Sequence, residues 1–184
     1  MSQYTTKTAV ENYTLLEIDS SFNSALEGWI ESVSEMIENR TNRVFIASDS
    51  EERVFDGNNK TKLVLPDFVE LTSVEVDNKD VTSSVLKYPA NELPYTSIYY
   101  ENGFYRGKQN VTVGAKWGYS VTVPKAIEMV ATVMVAGIIQ DQEKTDQAIV
   151  SERIGNYQVK YTERQFEDFK IIDKTLSAFK RYPL

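Results

Sequence analysis

Residues 22–37 read FNSALEGWIESVSEMI, and their spacing sets the fold of the N-terminal third. Phe22, Ala25, Leu26, Trp29, Ile30, Val33, Met36 and Ile37 follow one another at intervals of 3, 1, 3, 1, 3, 3 and 1. A helix of period 3.6 lines such residues up as one continuous stripe. Asp19, Ser20 and Ser21 stand just before it and offer side-chain oxygens to the unpartnered amides of the first turn. Glu27, Glu31, Glu35 and Glu38 fall on the other side, as a solvated acidic surface. A shorter helical turn is expected around Thr8 to Leu16.

From about Arg53 the period changes. Lys62–Leu65, Val69–Val76, Ile98–Tyr100 and Val111–Val113 are short runs rich in β-formers. Asp56-Gly57-Asn58-Asn59, Asp77-Asn78-Lys79, Pro89, Pro94 and Asn102-Gly103 punctuate them with residues that suit turns. Helix returns at Pro124, whose preset φ fits a first helical position. Ile127, Val130, Ala131, Met134, Val135 and Ile138 form one apolar side, and Met129, Val133 and Ala136 make the opposite side apolar too. A helix apolar all round is buried on more than one side. Met129, Val133 and Ala136 are therefore candidates for a subunit interface, for the centre of a bundle, or for both. Residues 141–153 read as a polar loop, and Ile154–Tyr161 as a bend into an extended stretch. A last helix carries Phe166, Phe169, Ile172, Leu176 and Phe179, with acids at its start and Lys174, Lys180 and Arg181 at its end, which complements the helix dipole.

These segments predict an α+β protein: mainly a helical bundle of three to four helices, with a small antiparallel β insert between the long N-terminal helix and the central buried helix. Residues 1–52 and 122–184 are assigned to the helical core and 53–121 to the β-rich insert.

Composition limits the chemistry. The 184 residues include no cysteine and no histidine. Disulfides, thiolate catalysis, the commonest general base and the commonest metal ligand are thereby excluded. Twenty basic against 27 acidic residues give a net charge of −7, which opposes non-specific binding to nucleic acid. Residues 1–60 alone hold 5 basic and 11 acidic groups, so most of the excess sits in the first third. The opening MSQYTTKTAV has no apolar core of a signal peptide. The longest apolar stretch, Ala126–Ile139, is interrupted by Glu128 and is shorter than the ~20 residues of a membrane span.

No phosphate-binding loop, dinucleotide fingerprint, nucleophile elbow or metal-ligand spacing occurs. Asp77-Asn78-Lys79-Asp80 lacks the alternating ligands of a calcium loop and reads as a turn. Glu51-Glu52, Glu70 with Glu75, and Glu167-Asp168 are the paired carboxylates a hydrolase would need. None lies in an apolar run that would raise a pKa, so solvated charge is the expectation. Tyr95, Tyr99, Tyr100 and Tyr105 could form a stacking platform for a glycan or for a host or virion surface protein, though cross-strand packing uses the same residues. Arg40 and Arg43 could anchor a partner carboxylate or complement the end of the first long helix.

Three segments in order carry a resemblance. They are Ser34–Phe45, which ends the long helix; Val123-Pro124-Lys125-Ala126-Ile127, which opens the buried one; and Ser151–Tyr161, before the final helix. Together they resemble the gp6-like head–tail connector (adaptor) proteins of tailed bacteriophages, over roughly residues 6–50 and 122–182. The resemblance implies a non-catalytic virion protein of the neck, assembled in the host cytoplasm without a cofactor. It implies a homo-oligomer, a twelvefold ring under the portal protein, that is monomeric or not when isolated. The ring extends the DNA channel, with DNA passing through without sequence-specific binding, and docks a stopper or tail-completion protein; no membrane is involved. By the same resemblance Phe179, Lys180, Arg181, Tyr182, Pro183 and Leu184 are the portal-contacting residues. The alternative left open is a binding module built on the β insert.

Overall fold

The computed structural model describes residues 3–147 and 162–181. The chain divides into two units, Met1–Asn42 with Pro124–Arg181, and Arg43–Val123.

Among the described residues the first unit holds four helices: α1 (Lys7–Thr14), α2 (Asn23–Thr41), α3 (Lys125–Gln147) and α4 (Thr162–Phe179). Thr6 caps α1 by accepting the Ala9 amide at 3.2 Å. Asp19 accepts the Ser21 amide at 2.8 Å and so starts a 3-10 turn, Ser20–Phe22, that runs into α2. That bond holds the Asp19 carboxyl below its ordinary value. Helix α2 packs on α3 and α4, and α1 packs on α3. The buried side of α2 is Leu26, Ile30, Val33 and Ile37, a narrower stripe than the spacing predicts, because Phe22 and Met36 are each 55% exposed. Val10 of α1, Ile127, Val130, Ala131, Val135 and Ala136 of α3 and Leu176 of α4 are buried too. The N-terminal strap is pinned by polar contacts. Tyr4 donates its amide to Ser34 Oγ at 3.1 Å and its hydroxyl to Glu38 at 2.5 Å. The Thr5 and Thr132 hydroxyls meet at 2.7 Å. Pro124 sits one step before α3, its carbonyl accepting from Ile127 and Glu128. Helix α3 continues to Gln147, so residues 141–147 of the expected loop are helical. The rest of that loop and the stretch Ile154–Tyr161 lie outside the described residues.

The second unit is a sheet of six antiparallel strands: β1 (Ser50–Gly57), β2 (Lys60–Val76), β3 (Lys79–Asp80), β4 (Val85–Tyr88), β5 (Tyr95–Phe104) and β6 (Gly107–Trp117). Their order is β1-β6-β2-β5-β4, with β3 on the end of β2. Strand β2 changes partner midway. Before Pro66 it pairs with β5 and after Asp67 with β6, and Phe68 faces Tyr95 on one side and Trp117 on the other. Proline lacks an amide for the ladder, and the register breaks around it. Asp77 and Asn78, with φ of 51° and 61°, make the two-residue turn into β3.

Leu63, Leu65, Phe68, Val74, Val76, Ile98, Phe104, Val111, Val113, Ala115 and Trp117 form one buried cluster. All of them come from the sheet itself, so the sheet curls around its own core. The two ends of the unit lie side by side. Ile46 bridges Ser120 in parallel, the Ala47 amide donates to the Ser120 carbonyl at 2.9 Å, and the Tyr119 amide donates to the Val44 carbonyl at 2.9 Å. Gly118 permits this approach: its φ is +151°, and a Cβ there would lie 2.5 Å from Ala47 Cα.

The expected fold class is therefore corrected. The α+β assignment holds, but the protein is not mainly a helical bundle with a small insert. Among the described residues the six strands hold 52 and the four helices 68, so the sheet is a unit of comparable size and no small insert. The strands outrun the β-rich patches in the sequence where Pro66, between Lys62–Leu65 and Val69–Val76, and Asn102-Gly103 lie inside them. Pro66 is a bend within β2, and Gly103, at φ 81°, is a kink within β5 where Asn102-Gly103 reads as a turn.

Candidate functional site

The C-terminal end of α4 is tied to the end of α2. The Arg181 amide donates to the Thr41 carbonyl at 2.8 Å, and the Lys180 amide to the Ser177 carbonyl at 3.3 Å. Arg40 pairs with Asp173. Leu176 is buried, Phe179 and Arg181 are half-buried, and Lys180 is exposed. Tyr182, Pro183 and Leu184 lie outside the described residues. Of the three residues assigned to a subunit interface, Met129 is exposed, Val133 half-buried and Ala136 buried. Arg40, read as a helix-end charge or an anchor for a partner carboxylate, thus holds a carboxylate of its own chain.

Arg43 does the same inside the sheet unit. Its Nη1 lies 2.5 Å from Asp67 Oδ2, with both side chains largely buried, and its guanidinium stands 5.2 Å over the Tyr119 ring. Asp67 occupies the bend where β2 changes partner. The sequence offers no spacing that joins positions 43 and 67; only the fold brings them together. A second arginine, Arg53, stands 4.8 Å over Trp117, whose indole N–H donates to the Glu51 carbonyl at 2.8 Å. Asn110 ties three turns: its side chain accepts the Gly57 amide at 2.8 Å and donates to Tyr105 and Asp77.

Glu51 and Glu70 are each held by a basic side chain. Glu51 is exposed and pairs with Arg53 at 3.2 Å. Glu70 pairs with Lys116 at 2.6 Å, and hydrogen bonding from that lysine holds the Glu70 carboxyl below its ordinary value. A general acid needs the opposite shift. The side chains of Glu167 and Asp168 lie outside those described. Asp80 accepts the Thr82 amide at 2.9 Å and serves its turn. Among the described residues no three acidic side chains converge on a point that would hold a metal ion. Nor is any helix among them long and apolar enough to cross a membrane.

The four tyrosines divide. Tyr95 packs on Phe68 with ring centres 5.4 Å apart, and Tyr100 on Phe104 at 5.9 Å, so both serve the sheet's own core. Tyr99 lies on the outward face of β5, opposite Lys62 on β2 and Leu86 on β4, and Tyr105 stands exposed beyond the end of β5. They make no shared platform.

No protein-family profile and no curated protein sequence matches the chain. A solved structure described as the neck of an empty GTA particle, computed with C6 symmetry, contains a chain of similar fold. The TM-score is 0.55 at 10% identity, over 88% of this chain and 80% of that one. The likeness is one of fold.

Proposed function

We propose that this protein is a structural component of the neck of a phage-like particle: an adaptor that forms a ring under the portal, extends the DNA channel and presents a docking surface to a stopper or tail-completion protein. The observation that carries this reading is the fold likeness to a chain of a GTA (gene transfer agent) particle neck, which spans 88% of the residues and therefore both the helical unit and the sheet unit. The three sequence segments that resemble head–tail adaptors support it independently. Function then resides in interfaces, and no reaction is catalysed. The end of α4 and the tail beyond it, Phe179–Leu184, contact the portal. The acidic excess of the first third of the chain suits a surface past which DNA slides without being held.

The test is to purify particles from the source and locate the chain by mass spectrometry and electron microscopy, with negative-stain imaging of the isolated chain alone and with its portal. The expected result is the chain in the neck and a ring on the portal. Particles that lack the chain would overturn the reading.

A further inference from the structure

We infer that the outward face of β4, β5 and the first half of β2 is an interface for a second copy of this chain, and that it receives the outward side of that copy's helix α2. This rests on the multi-subunit reading above and names the surfaces that would join neighbouring copies. The sheet curls around a core on its inner side, so its outer side should be polar. Over β1, β6 and the second half of β2 it is, apart from Val54: Glu52, Glu70, Glu75, Thr112 and Lys116 occupy it. Over the other half two cross-strand rows break the rule. One runs Lys62, Tyr99, Leu86 and the other Val64, Ser97, Tyr88. Leu86 is 60% exposed, Tyr88 47% and Val64 42%. Ser97 lies between Val64 and Tyr88 in the second row and is 2% exposed.

The patch has a direction. Lys62, with Lys60 exposed just before it, stands on β2, and Leu86 and Tyr88 stand on β4. Strands are ~4.8 Å apart, so the basic and apolar edges are separated by ~10 Å, about the width of a helix. The outward side of α2 carries the complementary order. At about 100° per residue, Glu31 and Glu35 flank one side, Gly28 and Ser32 lie in the middle, and the exposed Met36 flanks the other. A methyl placed on Gly28 would meet nothing within 4 Å. Glycine in mid-helix costs about 1 kcal/mol against alanine, and nothing among the described residues uses the space it leaves. Lysines against glutamates, Leu86 and Tyr88 against Met36, and a low centre for Val64 and Tyr99 make a heterologous contact. Such contacts join different surfaces of successive copies, and they make a ring when the rotation between copies closes.

The chain has no cysteine, which makes the test direct. Copies carrying Leu86→Cys and copies carrying Met36→Cys would be mixed and treated with a short bis-maleimide, both as concentrated purified chain and co-expressed in particles. A cross-linked pair is expected only when both variants are present. Lys60→Glu with Lys62→Glu should lower the yield about tenfold, and adding Glu31→Lys with Glu35→Lys on the other copy should restore it. Particles that contain the chain but give no cross-link overturn the inference and leave the neck reading standing. Particles without the chain overturn the neck reading; the purified chain then decides, and absence of the cross-linked pair there overturns the inference.

Discussion

Arg43 and Asp67 show what a single pair can mean for the fold. The Asp67 side chain is 4% exposed and Arg43 17% exposed, and the two charges pair at 2.5 Å. Removing one partner of a buried pair leaves an uncompensated charge and costs about 3–5 kcal/mol, whereas replacing both by apolar residues can be close to neutral. Asp67→Asn should therefore destabilise the protein by about that amount in urea unfolding, and Arg43→Met with Asp67→Leu by much less. The exposed Glu70–Lys116 pair works through pH instead. Glu70 is held below its ordinary 4.5, so its contribution is complete above that value and fades as pH falls through the lowered one. Lys116 is held above its ordinary 10.5, so its contribution is complete below that value and is lost as pH rises through the raised one. The stability gap between the native chain and Glu70→Gln should thus be constant across neutral pH and close at both extremes. A gap that persists in acid would disprove the assignment.

At the scale of the element, α2 was legible whole and β2 only as two separate halves. The interval pattern of residues 22–37 predicts a helix, and the helix runs Asn23–Thr41. Periodicity could not show that Phe22 and Met36, on the edges of the stripe, stay in solvent while Leu26, Ile30, Val33 and Ile37 are buried. Ile30→Ala should cost about 2–5 kcal/mol, measured by thermal or urea unfolding, and Met36→Ala should cost little. Strand β2 runs for 17 residues through a proline, which a local pattern reads as an end. Its two halves have different partners, and partners distant in sequence leave no local trace. The candidate portal-contacting residues were named by resemblance alone. That Arg181 reaches Thr41 through its backbone amide is a contact between chain positions no spacing rule connects.

At the scale of the molecule, the sheet unit enters and leaves through neighbouring segments. The run Val44–Ser48 is hydrogen-bonded alongside Trp117–Ser120, and the core of the unit draws on its own strands. A unit with adjacent ends and its own core can fold alone. Residues 43–123 expressed by themselves should give a cooperative unfolding transition and dispersed amide resonances; a chain that stays unfolded would show that the helical unit is required. Composition had already removed thiol, imidazole and disulfide chemistry, because an absent residue type is absent from every fold. Local periodicity had assigned helix and strand, because burying one side of an element imposes its own repeat on the sequence. The extent of the sheet, its change of partner at Pro66-Asp67, the pairing of Arg43 with Asp67, and the apolar rows from Val64 to Tyr88 and from Lys62 to Leu86 were decided only by the tertiary structure. Each depends on which residues far apart along the chain come to lie within a few ångströms, and chain entropy and packing settle that over the whole molecule at once.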